Sequence, residues 1–417
     1  MGTRPGGRTG LGPTFRALLA ATAVSNLGDG VRLAALPLLA TTFTDSPLLI
    51  AGVTAAQFLP WPVFGPVGGV IVDRADRRRL ILVTQAWRAV VMVGLAAAVI
   101  TDTASIWMVF VVAFTITVGE ILVDPSVVAI VPTLVRPHDL DRANGRVSTV
   151  EIVTNDVIGA PAGAALFIVA PWLPFVIDGL SYFGSIMPFR RMPSLSGSDR
   201  VSRRAGGGLL TEVSEGARWL WRHPMLRPWT LAVAVFNIGA AAAFSLIVEL
   251  VLDVHAGSEV AFGVTLAVAA VAGALGSSSA ARLVQRYGRR SVLLTATGLE
   301  ALSLVALAGA PSLTTVVVVW SFGAAFSGVL LAIGRGFVQR YCPDELLGRA
   351  AIASRTITRS AFVVGAMVGG TVATGTGIRS AYLVAGAVQA AALVPMAMAL
   401  RHDADGSPKG WADDRDQ

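Results

Sequence analysis

The sequence predicts an all-α membrane protein with about twelve transmembrane helices in two pseudo-symmetric bundles of about six. Three observations carry this. Hydrophobic residues make up 54% of the 417-residue chain and charged residues 14%, with a mean hydropathy of +0.68; an ordinary soluble domain carries about 25% charged residues. Apolar runs of about 20 residues, long enough to cross a hydrocarbon core, recur along nearly the whole chain. The chain also repeats itself. Ser25-Asn26-Leu27-Gly28 returns as Phe236-Asn237-Ile238-Gly239, and Asp73-Arg74-Ala75-Asp76-Arg77-Arg78 returns as Gln285-Arg286-Tyr287-Gly288-Arg289-Arg290. Asn26 and Asn237 stand 211 positions apart, and Arg74 and Arg286 stand 212 apart. Two related halves around a central site account for that register.

In chain order, a tail at 1–14 precedes a first bundle at 15–189, with spans near 15–42, 48–71, 80–100, 105–131, 147–169 and 172–189. A polar linker at 190–227 follows. The second bundle, 228–400, has spans near 228–252, 260–281, 291–310, 313–334, 351–374 and 380–400, and a short acidic tail closes the chain at 401–417. Backbone groups in lipid must pair internally, and nothing shows the two-residue alternation of a barrel strand, so the spans are helices. The first span is too long for a signal-peptide core and is expected to be retained. Within the linker, Gly206-Gly207-Gly208 marks flexible backbone. Leu210, Val213, Ala217, Leu220 and Trp221 then recur opposite Glu212, Glu215 and Arg218, which predicts an amphipathic helix along the membrane face.

Charge sorts by side. Arginines crowd the amino-terminal tail, the second-to-third connection, the linker and the eighth-to-ninth connection, whereas the alternate loops carry acids such as Asp45, Asp102 and Glu259. The positive-inside rule then puts both termini in the cytoplasm of a multi-pass protein in the cell (inner) membrane. Basic loops beside anionic lipid also explain the net charge of +7 without nucleic acid. Cys342 is the only cysteine, and the four histidines are scattered. No metal-ligand spacing and no phosphate-binding glycine loop is present, so no metal or cofactor is expected. A monomer is expected.

A charge at mid-bilayer costs about 2.5–3.5 kcal/mol even on a lenient scale, so ionisable residues within spans are candidates for function. Asp29 lies between Gly28 and Gly30 on the first span. Either it binds a proton or cargo, or it pairs with Arg32 one turn on. Glu120 and Asp124 are spaced i, i+4 on the fourth span beside Pro125. On the fifth, helical spacing gives Ser148, Glu151 and Asn155 one face, and Asp156, Gly159 and Gly163 the next. On the eleventh, Arg355 and Arg359 stand i, i+4, so the fifth and eleventh spans present opposite charges to a shared cavity. Asn237 is the strong polar group of the seventh span. Glu249 is placed near its outer end, at the interface, and Asp178 on the sixth has no evident partner. Phe236, Phe244, Trp320, Phe322 and Phe326 either line an apolar pocket or pack helices.

Gly69-Val70-Ile71-Val72-Asp73-Arg74-Ala75-Asp76-Arg77-Arg78 resembles the G-x-x-x-D-R-x-G-R-R signature of the major facilitator superfamily, with Asp76 in place of the second glycine. Ser25-Asn26-Leu27-Gly28-Asp29-Gly30 and the run Asp124 to Pro132 are similar to its drug and siderophore exporter branch. The resemblance implies a gate. Gly69, Asp73, Arg74, Arg77 and Arg78 would meet the start of the eleventh span at Leu347 to Ala350, and Arg74 would pair with Asp124, with Arg355 nearby. It also implies the direction, export. The expected activity is secondary active export of an amphipathic small molecule by proton antiport and alternating access. Asp29, Glu120, Glu151, Asn155, Asp156, Asn237 and Arg359 are the candidate substrate or proton sites. An uptake carrier of the same fold, a membrane-embedded enzyme and a lipid-moving or receptor protein are the rivals; scattered histidines and one cysteine disfavour the enzyme.

Overall fold

The computed structural model describes residues 12–136, 139–190, 217–334, 337, 342 and 347–403, less a few helical side chains, those of Asp73 and Arg74 among them. Helix α1 (Pro13–Thr41) forms the first span. The second is broken into α2 (Pro47–Phe58) and α3 (Pro60–Arg74), because Pro60, Pro62 and Pro66 remove N–H donors from the ladder. Then come α4 (Arg77–Ile100) and α5 (Ile106–Leu134). The fifth span is α6 (Leu140–Ile152), a π-helical turn (Val153–Gly159) and α7 (Ala160–Val169). Pro161 withholds the N–H that an α-helix would send to Val157, and the chain widens at that point. Helix α8 (Leu173–Arg190) ends the first half.

The second half opens with α9 (Leu226–Phe244), extended through a short turn and a π-helical turn to Val254. It continues through α10 (Glu259–Tyr287), α11 (Arg289–Ala308), α12 (Leu313–Gly334) and α13 (Leu347–Thr376) to α14 (Ile378–Ala391) and α15 (Leu393–Asp403). Of the expected amphipathic linker helix, residues 217–222 are helical and the part before them lies outside the described residues.

Ten helical segments among the described residues are long and apolar enough to cross a membrane. Helices α1 and α8 occupy the two remaining expected positions and are less apolar, since α1 carries Asn26, Asp29 and Arg32 and α8 carries Asp178 and Arg190. Bulky apolar side chains cover the outside: Val90 is 71% exposed, Phe183 67% and Leu275 65%. Such a surface is stable against lipid and not against water.

The halves repeat in space as well as in sequence. In the first, α8 packs on α1 and α4; in the second, α14 packs on α9 and α11. Gly28 abuts Asp178, and Gly239 abuts Gln389. Each pair spans the same helices, and each member is 211 positions from its counterpart.

Contact between the halves is made by α13 on α2 and by α10 on α7. At the end away from the termini, one apolar cluster runs through both halves, from Leu36, Leu39 and Ile50 to Leu246, Val251 and Phe262. At the other end the described core divides into a first-half cluster around Phe15, Ile81 and Phe189 and a second-half cluster around Leu226, Leu293 and Leu400. Among the described residues, the apolar core is therefore continuous across the halves at one end and divided at the other.

The loop between α3 and α4 explains its departure from the signature. Asp76, with φ −65°, accepts a hydrogen bond from the Arg79 N–H at 2.9 Å and caps α4. In the second copy the same place holds Gly288 at φ +77°, where only glycine is free of strain.

Candidate functional site

Two features occupy the interior, one in each half. The first is a buried cluster of charge. Asp29 Oδ1 accepts from Arg88 Nη2 at 2.7 Å, Tyr182 Oη at 2.6 Å and Arg32 Nη2 at 3.2 Å. Arg32 Nη2 also reaches Glu120 Oε1 at 2.6 Å, and its Nε lies 3.4 Å from Asp178 Oδ2. Arg88 sits 3.4 Å from Glu120 Oε1, and its guanidinium lies over the Tyr182 ring at 4.0 Å. It donates to Gln85, whose amide holds Ser25 and Ser185 at 3.0 and 2.9 Å. Charge so far from water persists only when paired and hydrogen-bonded. The cluster holds three carboxylates, Asp29, Glu120 and Asp178, against two guanidiniums. Of the two alternatives for Asp29, the pairing with Arg32 is present, and it is one contact of a larger polar unit.

The second feature is a cavity of about 770 Å³, lined mostly by the second half. Trp229, Phe236, Phe244 and Trp320 supply aromatic wall, and Asn237, Glu300 and Arg355 are among the few polar groups. Leu33 and Asp156 close it from the first half. Asp156 and Arg355 bring the expected opposite charges of the fifth and eleventh spans to one hollow. Asn237 donates to the Thr358 carbonyl at 3.0 Å and so ties α9 to α13.

Other expected residues lie elsewhere. The π-helical turn carries Asp156 to the cavity while Gly159 and Gly163 press on the α1 backbone, so faces drawn at 3.6 residues per turn do not hold through it. Asn155 meets α1 through its backbone, its carbonyl against Gly30. Glu151, part-buried on α6, is outside the cavity lining. Arg359 also lies outside that lining, its guanidinium 5.5 and 5.0 Å from the Phe58 and Trp61 rings across the bundle boundary. Glu249, expected at the interface, is instead 1% exposed, beside Val248, Leu250 and Val251 of the apolar cluster shared by both halves. Asp178 does have a partner, Arg32. Phe322 and Phe326 pack edge to face at 4.8 Å, and neither lines the cavity.

Of the expected gate, Arg77 and Arg78 begin α4 and are part-buried. The side chains of Asp73 and Arg74, and everything beyond the backbone at Gly69 and at Leu347 to Ala350, lie outside the described residues. Asp124 is exposed and forms no ion pair among the described residues. Among the residues of these sites with no sequence expectation are Arg88, Tyr182 and Glu300. One signal was available for Arg88 and Glu300, which are 212 positions apart in an otherwise apolar repeat.

Residues 11–411 match the model of a family described as transmembrane secretion effector. The chain belongs to that family, within the major facilitator superfamily. It is 26% identical over 292 residues to macrolide efflux protein A of Streptococcus pyogenes, covering 68% of this chain and 69% of the relative. It is 25% identical over 383 residues to the transporter YfiS of Bacillus subtilis (strain 168), covering 88% and 89%. In three dimensions it is similar to the nucleoside transporter NupG, with a TM-score of 0.71 at 14% identity over 93% of this chain and 99% of that one. The human organic anion transporter MFSD10 superposes with a TM-score of 0.65 at 14% identity, over 92% and 100%. At such identity these structures establish the major facilitator fold alone. The family member described here is a membrane transporter, not an enzyme, and the charge cluster and cavity lie inside a transport fold.

Proposed function

We infer that this chain is a secondary active exporter of an amphipathic small molecule (a drug, siderophore or secondary metabolite), exchanged for protons by alternating access. Macrolides are the first compounds to test, given the named relatives. The observation that carries the reading is a largely apolar cavity beside a buried ionic cluster, between two bundles whose apolar core is continuous at one end. An apolar hollow accepts the body of an amphiphile. The cluster, with one carboxylate more than its guanidiniums, accommodates one proton without leaving a buried charge unpaired. Asp29 and Glu120 are the proton-bearing candidates. In this reading the protein works as a monomer in the cytoplasmic membrane with both termini inside, and the cavity is reached from the cytoplasm.

Inverted vesicles energised with a pH gradient test it. Uptake of a labelled macrolide into them, collapsed by a protonophore, is the expected result. Accumulation only in right-side-out vesicles reverses the direction, and accumulation insensitive to the gradient removes the proton.

A further inference from the structure

Laid over one another, the two halves carry opposite chemistry at matching places. Arg88 and Glu300 are counterparts 212 positions apart, and Asp178 and Gln389 are counterparts 211 apart. In the first half Arg88 is neutralised by Asp29. The counterparts of Asp29 and Arg32, each 211 positions on, are Ala240 and Ala243. Where the first half fills its interior with a charge cluster, the second has small side chains, and Ala240 lines the cavity there. Glu300 is left there with no ion pair among the described residues.

That acid is well defined. Glu300 is 5% exposed and lines the cavity. Its Oε1 accepts from Ser327 Oγ at 2.5 Å, while its Oε2 is buried with no hydrogen-bond partner. No ion pair reaches it among the described residues. Gln389 stands level with it on α14, since Gly386 abuts Ala301 and Leu393 abuts Gly298 in antiparallel register. Its amide is wholly buried beside the Glu300 carboxylate. Around this polar spot the wall is apolar and aromatic, with Trp229 and Trp320 on it. An aromatic hollow with the Glu300 carboxylate at its back, and with Asp156 and Arg355 also on its wall, fits a lipophilic cation: the rings take the hydrocarbon body and the charge faces Glu300.

We propose that Glu300 anchors the positive charge of a lipophilic cation in the second-half cavity, the ligand supplying the ion-pair partner that Glu300 lacks among the described residues. This deepens the export reading by naming a substrate class and is tested apart from it.

The test is binding of tetraphenylphosphonium to the purified full-length protein, followed by quenching of tryptophan fluorescence. Neutral triphenylphosphine oxide is the control. Wild type is expected to bind the cation, and Glu300→Gln to weaken it by about tenfold or more, the loss expected when a buried charge pair forfeits one member. Glu300→Asp retains part of the affinity, and the neutral ligand binds wild type and Glu300→Gln alike. Equal affinity of wild type and Glu300→Gln for the cation overturns the proposal, as does absence of cation binding by wild type. A parallel loss of both ligands in Glu300→Gln also overturns it, by showing collapse of the cavity. Glu300-dependent binding without vesicle flux refutes export and leaves the site standing; flux without such binding does the reverse.

Discussion

Asp29 is the residue on which the first-half cluster turns, because a single oxygen receives two guanidiniums and a phenol. Asp29→Asn keeps the shape and removes the charge. Glu120 and Asp178 then still balance Arg32 and Arg88, so the cost is that of weakened hydrogen bonds to position 29, about 1–3 kcal/mol. A lower melting temperature with membrane insertion retained, and loss of proton-linked flux, are expected. Arg88→Gln, which leaves three carboxylates against one guanidinium, should lower the melting temperature more than Asp29→Asn does. If Asp29→Asn transports at the wild-type rate, the cluster is scaffolding.

Close helix contact is set by small residues at the level of elements. A side chain on Gly276 would meet the Ala325 carbonyl, and one on Gly328 would meet that of Gly273, so α10 and α12 touch backbone to backbone. Gly328→Val should destabilise by about 1–3 kcal/mol through overpacking, whereas Gly94→Val, with nothing within 4 Å, should be neutral. Melting in detergent with size-exclusion profiles measures both. Helix α9 is capped by His223, whose Nδ1 accepts from the Met225 and Leu226 N–H groups at 3.3 and 3.2 Å. Burial lowers its pKa below the usual 6.5. The unfolded chain therefore takes up the proton first as pH falls. This contribution to stability is complete above about 6.5 and is lost as pH falls through the folded value. His223→Ala should cost about 1 kcal/mol, as for other caps, and flatten that acid-side slope; an unchanged slope removes His223 as its source.

For the whole molecule, closure at the end with the continuous core is the claim to break. Gly370 on α13 lies against Ala51 on α2, joining the halves there. Ala51→Cys with Gly370→Cys, in a Cys342→Ser background, should form a disulfide that halts transport until it is reduced. Turnover by the oxidised pair would mean that this end need not open. Orientation is separable: Ser312→Cys, exposed in a loop at the same end, should react with an impermeant maleimide on intact cells, and silence there inverts the topology.

Composition, apolar run length and the repeated Asn-x-Gly and Arg-rich segments were enough to indicate a membrane-embedded helical protein with related halves; transport entered with the resemblance of the Gly69 to Arg78 segment. Those properties belong to lipid solvation and duplication, and both are written along the chain. Polar candidates on single helices were also legible, Asp29 and Asp156 among them. Their partners were not. The pairings of Asp29 with Arg88 and Tyr182, of Asp178 with Arg32 and of Glu300 with Ser327 join residues on different helices, and no local pattern encodes which faces meet. The π-helical turn at Val153–Gly159 rotated a face that regular spacing had drawn otherwise. Tertiary packing alone decided that the polar interior divides into an ion-paired cluster in one half and a largely apolar hollow, with Glu300 at its back, mostly in the other. A chain in lipid must place every charge against something, and only the folded arrangement says against what.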